Sequence, residues 1–156
     1  MTFAENACKK AREAARATGM MTLADDSGLE IDALGGEPGV RSARYCGQDA
    51  SDADRNRSIL QNMVTIPEGK RTARFRCVMC LVSPEGEERR FEGVSEGRIA
   101  HQARGSSGFG YDPIFVPEGH SRTFAELGPE IKNRMSHRAK ALRQVVEYMA
   151  TCTKPQ

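Results

Sequence analysis

Residues 72–83, Thr-Ala-Arg-Phe-Arg-Cys-Val-Met-Cys-Leu-Val-Ser, limit what this chain can fold into more than any other stretch. Apolar and polar side chains alternate at first, and the run then becomes continuously apolar. Alternation marks a strand with one wet face, and a continuous run marks one covered on both. A single strand is therefore expected to pass from an edge into a covered interior. Pro84-Glu-Gly86 turns it, and residues 88–99 return with Phe91 and Val94 among polar neighbours. Together they predict a hairpin.

Helices are predicted around it. Thr2-Phe-Ala-Glu5 has the form of a capping box, so a helix should run from Thr2 to about Thr18 and stop at Gly19. Phe3 and the alanines at 7, 11, 14 and 15 give it a narrow apolar face, with Lys9, Lys10, Arg12 and Arg16 in solvent. Ser51 with Asp54 starts a second helix, with Ile59, Leu60, Met63 and Val64 inside and Pro67 to Gly69 ending it. Thr123-Phe-Ala-Glu126 repeats the box, and Pro129 permits a new start. Ala139, Leu142, Val145, Val146 and Met149 then continue an apolar face to near Thr151.

Chemistry concentrates in three places. The first is Ala24-Asp-Asp-Ser-Gly28. Residues 20–23 read as a short strand before it and residues 29–34 as another after it. Asp25 and Asp26 would then sit at a strand's C-terminal end, where open α/β sheets bind ligands. Adjacent carboxylates repel, and Mg²⁺ is a common answer, since it takes one or two carboxylates plus water and substrate phosphate. Asp, Ser and Gly are also ordinary turn residues. Arg41 and Arg44 follow; they either pair with Asp25 or Asp32 or face an anionic ligand. The second place is the glycine- and aromatic-rich run at 105–113, too apolar nearby to be a solvated linker and suited to close backbone approach. The third is the basic run holding Lys132, Ser136, His137 and Arg138; such a run usually means a solvated face, but these bunch at an expected kink or helix start, where anions also bind. Carboxylates that hold Mg²⁺ and orient water, a ring that stacks on a base, and cations for phosphates suggest phosphoryl or nucleotidyl chemistry.

Composition narrows the alternatives. The chain has 156 residues, 38% apolar and 28% charged, with a net charge of +2. That suits one domain, 1–156, with its own core and no general polyanion-binding surface. With no Trp and few aromatics, a nucleic-acid platform is not expected. No run approaches the roughly 18 apolar residues of a membrane span, and no apolar signal region opens the chain, so the cytoplasm is expected. Five cysteines, widely spaced, argue against a disulfide framework. Cys77 and Cys80 form C-x-x-C inside a strand, where positions three apart point to opposite faces, so a structural role is expected. Rossmann and P-loop patterns are absent.

Phe3-Ala-Glu-Asn6, Ala24-Asp-Asp-Ser-Gly-Leu29, Leu34-Gly-Gly-Glu-Pro-Gly39, Ser42-Ala-Arg-Tyr45, Gly108-Phe-Gly-Tyr-Asp-Pro-Ile-Phe115 and Lys132 with Ser136-His-Arg138 resemble, in order, the inosine triphosphate pyrophosphatase (Ham1-like) family. The resemblance covers residues 2 to about 150. It implies a mixed α/β fold with a long curved central sheet and two lobes around a nucleotide cleft. It implies a homodimer and Mg²⁺-dependent hydrolysis of ITP, dITP and XTP to the monophosphate and pyrophosphate. By position, Asp26 matches the general base at the metal site, with Asp25 supporting the metal. Ser27 would touch substrate. Phe109 would stack on the purine, with Gly110, Tyr111 and Asp112 around it. Lys132 would contact the nucleotide, and His137 with Arg138 would read the 6-oxo group.

Against the family pattern, this sequence has no counterpart of the N-terminal strand, the Ser/Thr-x-Asn-x-x-Lys phosphate loop and a metal-binding glutamate. Met1 is therefore expected to be an internal methionine of a longer protein, with a real N-terminal truncation as the competing explanation. Weak or no hydrolysis is expected of the chain as given, and a nucleotide-binding or interaction protein without catalysis is the alternative. A hydrolase for another nucleotide, such as a modified pyrimidine triphosphate, is a third reading.

Overall fold

A computed structural model describes residues 1–153. Its helices are α1 (Phe3–Thr18), α2 (Asp52–Asn62), α3 (Phe124–Leu127), α4 (Pro129–Met135) and α5 (His137–Cys152). Its strands are β1 (Thr22–Ile31), β2 (Thr72–Val82), β3 (Glu88–Ile99) and β4 (Phe115–Pro117), in the sheet order β1-β2-β3-β4. The expected α/β class is what the chain adopts. Gly97, Arg98 and Ile99 of β3 face Pro117, Val116 and Phe115 of β4, antiparallel. The Ile99 N–H donates to the Arg71 carbonyl and Arg74 pairs with Glu96, so β2 and β3 also run antiparallel. Thr72 and Arg74 meet Asp32, whereas Cys77 lies by Asp25, so β1 and β2 run antiparallel as well. The four described strands are thus antiparallel, and a parallel member of the mixed sheet is not among them.

The hairpin forms where the sequence places it, and three predicted helix starts are real capping boxes. Thr2 with Glu5, Ser51 with Asp54, and Thr123 with Glu126 each exchange side chain and backbone bonds. Gly19 closes α1 in the left-handed conformation. Three expectations are corrected. Residues 20–23 and 29–34 are not two strands around a loop, because Asp25, Asp26, Ser27 and Gly28 lie inside the continuous β1. Val64 is 79% exposed rather than inside, since α2 ends at Asn62. Leu142, Val146 and Met149 are exposed, and the inner face of α5 is Ala141 and Val145.

Contacts divide the chain into two compact units. The first holds Met1–Ser27, Arg76–Val94 and the described residues from His137. Cys77 and Met79 of β2 pack with Ala141 and Val145 of α5, while Cys80 of β2 lies beside Cys8 of α1. Odd and even positions of a strand face opposite ways. The two helices therefore cover opposite faces of this unit's strands. Gly93 of β3 is where α5 rests on the backbone, since a Cβ there would strike the His137 carbonyl and the Ala141 nitrogen.

Residues Gly28–Phe75 and Ser95–Ser136 form the second unit. Its core joins Leu29, Ile31, Ile59, Met63, Ile99 and Ile114 to Phe75, Phe115 and Phe124, whose ring centroids lie 4.6 to 6.2 Å apart. Arg71 is only 1% exposed. Its Nε donates to the Ile99 carbonyl at 2.8 Å, Nη1 to Met63 and Ile66 at 2.7 and 3.0 Å, and Nη2 to Ala100 at 2.9 Å. One guanidinium thus satisfies the carbonyls at the end of α2 and the end of β3. Arg71→Met fills the volume and removes the donors, so it is expected to cost roughly 3–5 kcal/mol through orphaned buried acceptors. The midpoint of urea unfolding measures this, and a loss under about 1 kcal/mol would refute the assigned role.

Candidate active site

Around the two aspartates, the first unit brings α1, β1 and α5 together. Asn6 and Lys10 lie four residues apart on α1 and so share one helix face. Asn6 Nδ2 donates to Asp26 Oδ2 at 2.9 Å, and Lys10 Nζ to Asp26 Oδ1 at 3.3 Å. Lys10 also donates to the Asp25 backbone carbonyl at 3.0 Å. The Asp26 side chain is only 18% exposed. Lys10 is therefore not simply a solvent-facing lysine of α1.

Asp25 points the other way. Its Oδ2 accepts from Arg138 Nη2 and Nε at 3.0 and 3.3 Å and from Ser27 Oγ at 3.3 Å. Cys77 Sγ lies 4.0 Å from the same oxygen, and burial pushes this thiol's pKa up. Strand alternation explains the split, placing 25 and 27 on one face and 26 on the other. Adjacent in sequence, the carboxylates separate in space, and each has its own cation. They do not present themselves to one ion as a pair. Asp26 alone still offers what Mg²⁺ uses, a hard carboxylate oxygen, with water and substrate phosphate completing the set. The residues fit the ion on those terms. His137 is buried at the start of α5, and Arg138 is half exposed.

In the second unit, the glycine-rich segment is held from beneath. Asp112 is 2% exposed, and its Oδ2 accepts from the Phe109 N–H at 3.1 Å and from Lys132 Nζ at 2.5 Å. Gly108 has a φ of +77°, and a Cβ there would collide with the Asp112 carboxylate. The Gly110 N–H donates to Asp52 at 2.8 Å, and its carbonyl accepts from Asn56 at 3.0 Å. Tyr111 is buried, its hydroxyl donating to the Ser42 carbonyl at 2.7 Å, and burial raises its pKa. Phe109 remains 65% exposed, with Lys132 Nζ 4.2 Å from its ring centroid. Five anchors thus fix the segment and leave one aromatic face on show. Arg41 pairs with Glu37 at 2.9 Å.

The Ham1 family model matches residues 1–148. The chain belongs to the Ham1 family. It is 49% identical over 155 residues to a dITP/XTP pyrophosphatase of Leifsonia xyli subsp. xyli, covering 99% of this chain and 78% of that one. A dITP/XTP pyrophosphatase of Elusimicrobium minutum is 53% identical over 144 residues, covering 92% and 73%. The structure of a HAM1 protein from Coxiella burnetii superposes with a TM-score of 0.91 at 47% identity, covering 96% of this chain and 77% of that one.

Sequence reasoning missed Asn6, Lys10, Asp52 and Asn56. The usable signal was polar residues at i, i+4 spacing on α1 and α2, a spacing that solvated helix faces share. Asp112→Ala removes the acceptor for Lys132 and Phe109, and breaking such a buried pair is expected to cost about 3 kcal/mol. Amide exchange at Phe109 should accelerate as well. An unchanged exchange rate there would show that Asp112 does not hold the segment.

Proposed function

We propose that this chain hydrolyses non-canonical purine nucleoside triphosphates (dITP, XTP and ITP) to the monophosphate and pyrophosphate, and so clears them from the nucleotide pool. The observation that carries this reading is Asp26, a mostly buried carboxylate held by Asn6 and Lys10. The activity named for its relatives supports it.

Asp26 is assigned as the general base. The Asn6 amide fixes one carboxylate oxygen, leaving Asp26 oriented to take a proton from water. The water oxygen bonds to phosphorus at the α–β bridge, the proton passes to Asp26, and the bridging P–O bond breaks to release pyrophosphate. Lys10 places a positive charge beside this carboxylate, suited to phosphate oxygens. Mg²⁺ held by Asp26 would supply charge neutralisation and polarise the phosphate oxygens when bound.

On the opposite face of β1, Asp25 grips Arg138 through two of its nitrogens and so fixes its direction. Arg138 with His137 is assigned to the 6-oxo group, and Ser27 to a substrate contact. A donor aimed at O6 accepts hypoxanthine or xanthine and meets another donor in adenine. Phe109 is assigned to stacking on the purine, with Lys132 behind its ring and Gly110, Tyr111 and Asp112 shaping the support. A homodimer working in the cytoplasm completes the proposal. Among the described residues, no helix is long and apolar enough to cross a membrane.

Asp26→Asn keeps the shape and the Asn6 contact but loses the base. Pyrophosphate release from dITP with Mg²⁺ should fall by about 100-fold or more, while ITP binding persists. Retained turnover would reject the base. ITP binding by the unaltered chain with no pyrophosphate release would replace hydrolysis by binding alone.

A further inference from the structure

Cys8, Cys80 and Glu88 converge in the first unit, away from Asp25 and Asp26. The two Sγ atoms and a Glu88 carboxylate oxygen lie within 4.8 Å of one another, the one such group of three found among the described residues. Cys8 lies on the inner face of α1, Cys80 on the side of β2 that meets it, and Glu88 opens β3. We propose that these three side chains form a site for one thiophilic divalent cation of the zinc class, with water in the fourth position.

Donor type argues for this ion class. Two sulfurs and one carboxylate suit zinc far better than Mg²⁺, which prefers oxygen. A tetrahedron with zinc–sulfur bonds of about 2.3 Å has edges of about 3.8 Å, so the donors need close only a modest gap. Charge argues for it too. Two thiolates, one carboxylate and a divalent ion sum to one negative charge, and arginines stand ready for it. Arg12 Nη1 donates to Glu88 Oε1 at 2.9 Å, and Arg90 Nη2 lies 4.0 Å from Oε2. These arginines also hold the carboxylate in place, as outer partners of metal ligands do. Access comes through Glu88. Its side chain is 23% exposed and lines an open cavity of about 470 Å³ with Arg89, Arg90, Phe91 and Tyr148, whereas both cysteines are buried. The C-x-x-C spacing misleads here, since Cys80 is partnered by Cys8 and not by Cys77.

Cobalt titration of the full chain tests the site, with the exposed Cys46 and Cys152 changed to serine and a non-chelating reductant present. One equivalent of Co²⁺ should give an intense sulfur-to-cobalt charge-transfer band and tetrahedral d–d bands, both displaced by Zn²⁺. Binding at Asp26 would give no such band. Cys77→Ser should keep the spectrum, and Cys8→Ser or Cys80→Ser should lose it. Glu88→Gln, at the rim, spares the core and should weaken the affinity ten-fold or more. It therefore decides the matter even where a cysteine variant fails to fold. No charge-transfer band, or an affinity unchanged in Glu88→Gln, overturns the proposal. So does a thiol count that drops by two on oxidation when the reduced chain shows no cobalt spectrum, since the pair would then be a disulfide.

Discussion

The arrangement around the two aspartates depends on the alternation of side chains along β1. Two neighbouring carboxylates in a loop would repel each other at short range and call for a shared counterion. Inside a strand they cannot share one, because successive side chains leave opposite faces. The first unit resolves the charge twice. Asp26 meets Asn6 and Lys10 from α1, and Asp25 meets Arg138 from α5. That requires a helix on each face, and the same division is seen in β2, where Cys77 faces α5 and Cys80 faces α1. Covering both faces also explains why the second half of β2 is continuously apolar.

A related economy governs the second unit, where single charged groups each settle several backbone atoms. Arg71 serves four carbonyls from a position with almost no exposure. Asp112 orders the Phe109 backbone and Lys132 together. Buried charges of this kind are costly to strand, which makes them poor places for substitution and good places to fix a loop. The consequence for function is positional. A ring proposed to stack on a planar base gains from having its backbone amide and its neighbour's cation held before the base arrives, because less ordering remains to be done on binding.

Local signals were legible in the sequence, and distant partnerships were not. The hairpin ends at Glu88–Ile99 as read, and the capping boxes at Thr2, Ser51 and Thr123 are all formed. Each of those signals is contained within a few residues. The Asp-Asp-Ser-Gly stretch was misread as a loop because its residue types favour turns. It is a strand paired with β2, and its carboxylates meet Lys10, 16 residues from Asp26, and Arg138, 113 residues from Asp25. The inner face of α5 was misplaced by one position for a similar reason. A period of 3.6 allows neighbouring stripes, and only Gly93, bringing the helix onto the strand backbone, selects Ala141 over the larger Leu142.

The separation of Asp25 from Asp26 also bears on how two like residues come to differ in task. Asp25 is held through one oxygen by a guanidinium, and an arginine keeps its charge at any working pH. A carboxylate so engaged is fixed in direction by its charge-assisted bonds. It serves better as an anchor that aims Arg138. Asp26 is held instead by a neutral amide at 2.9 Å and by a lysine at the longer distance of 3.3 Å, on a flexible stem with three donors to redistribute. Lys10 can turn toward an incoming phosphate without unmaking the Asn6 bond that orients the carboxylate. The same residue type thus meets a guanidinium on one face of a strand and an amide with a lysine on the other, and the base role proposed for Asp26 rests on which cation each one meets.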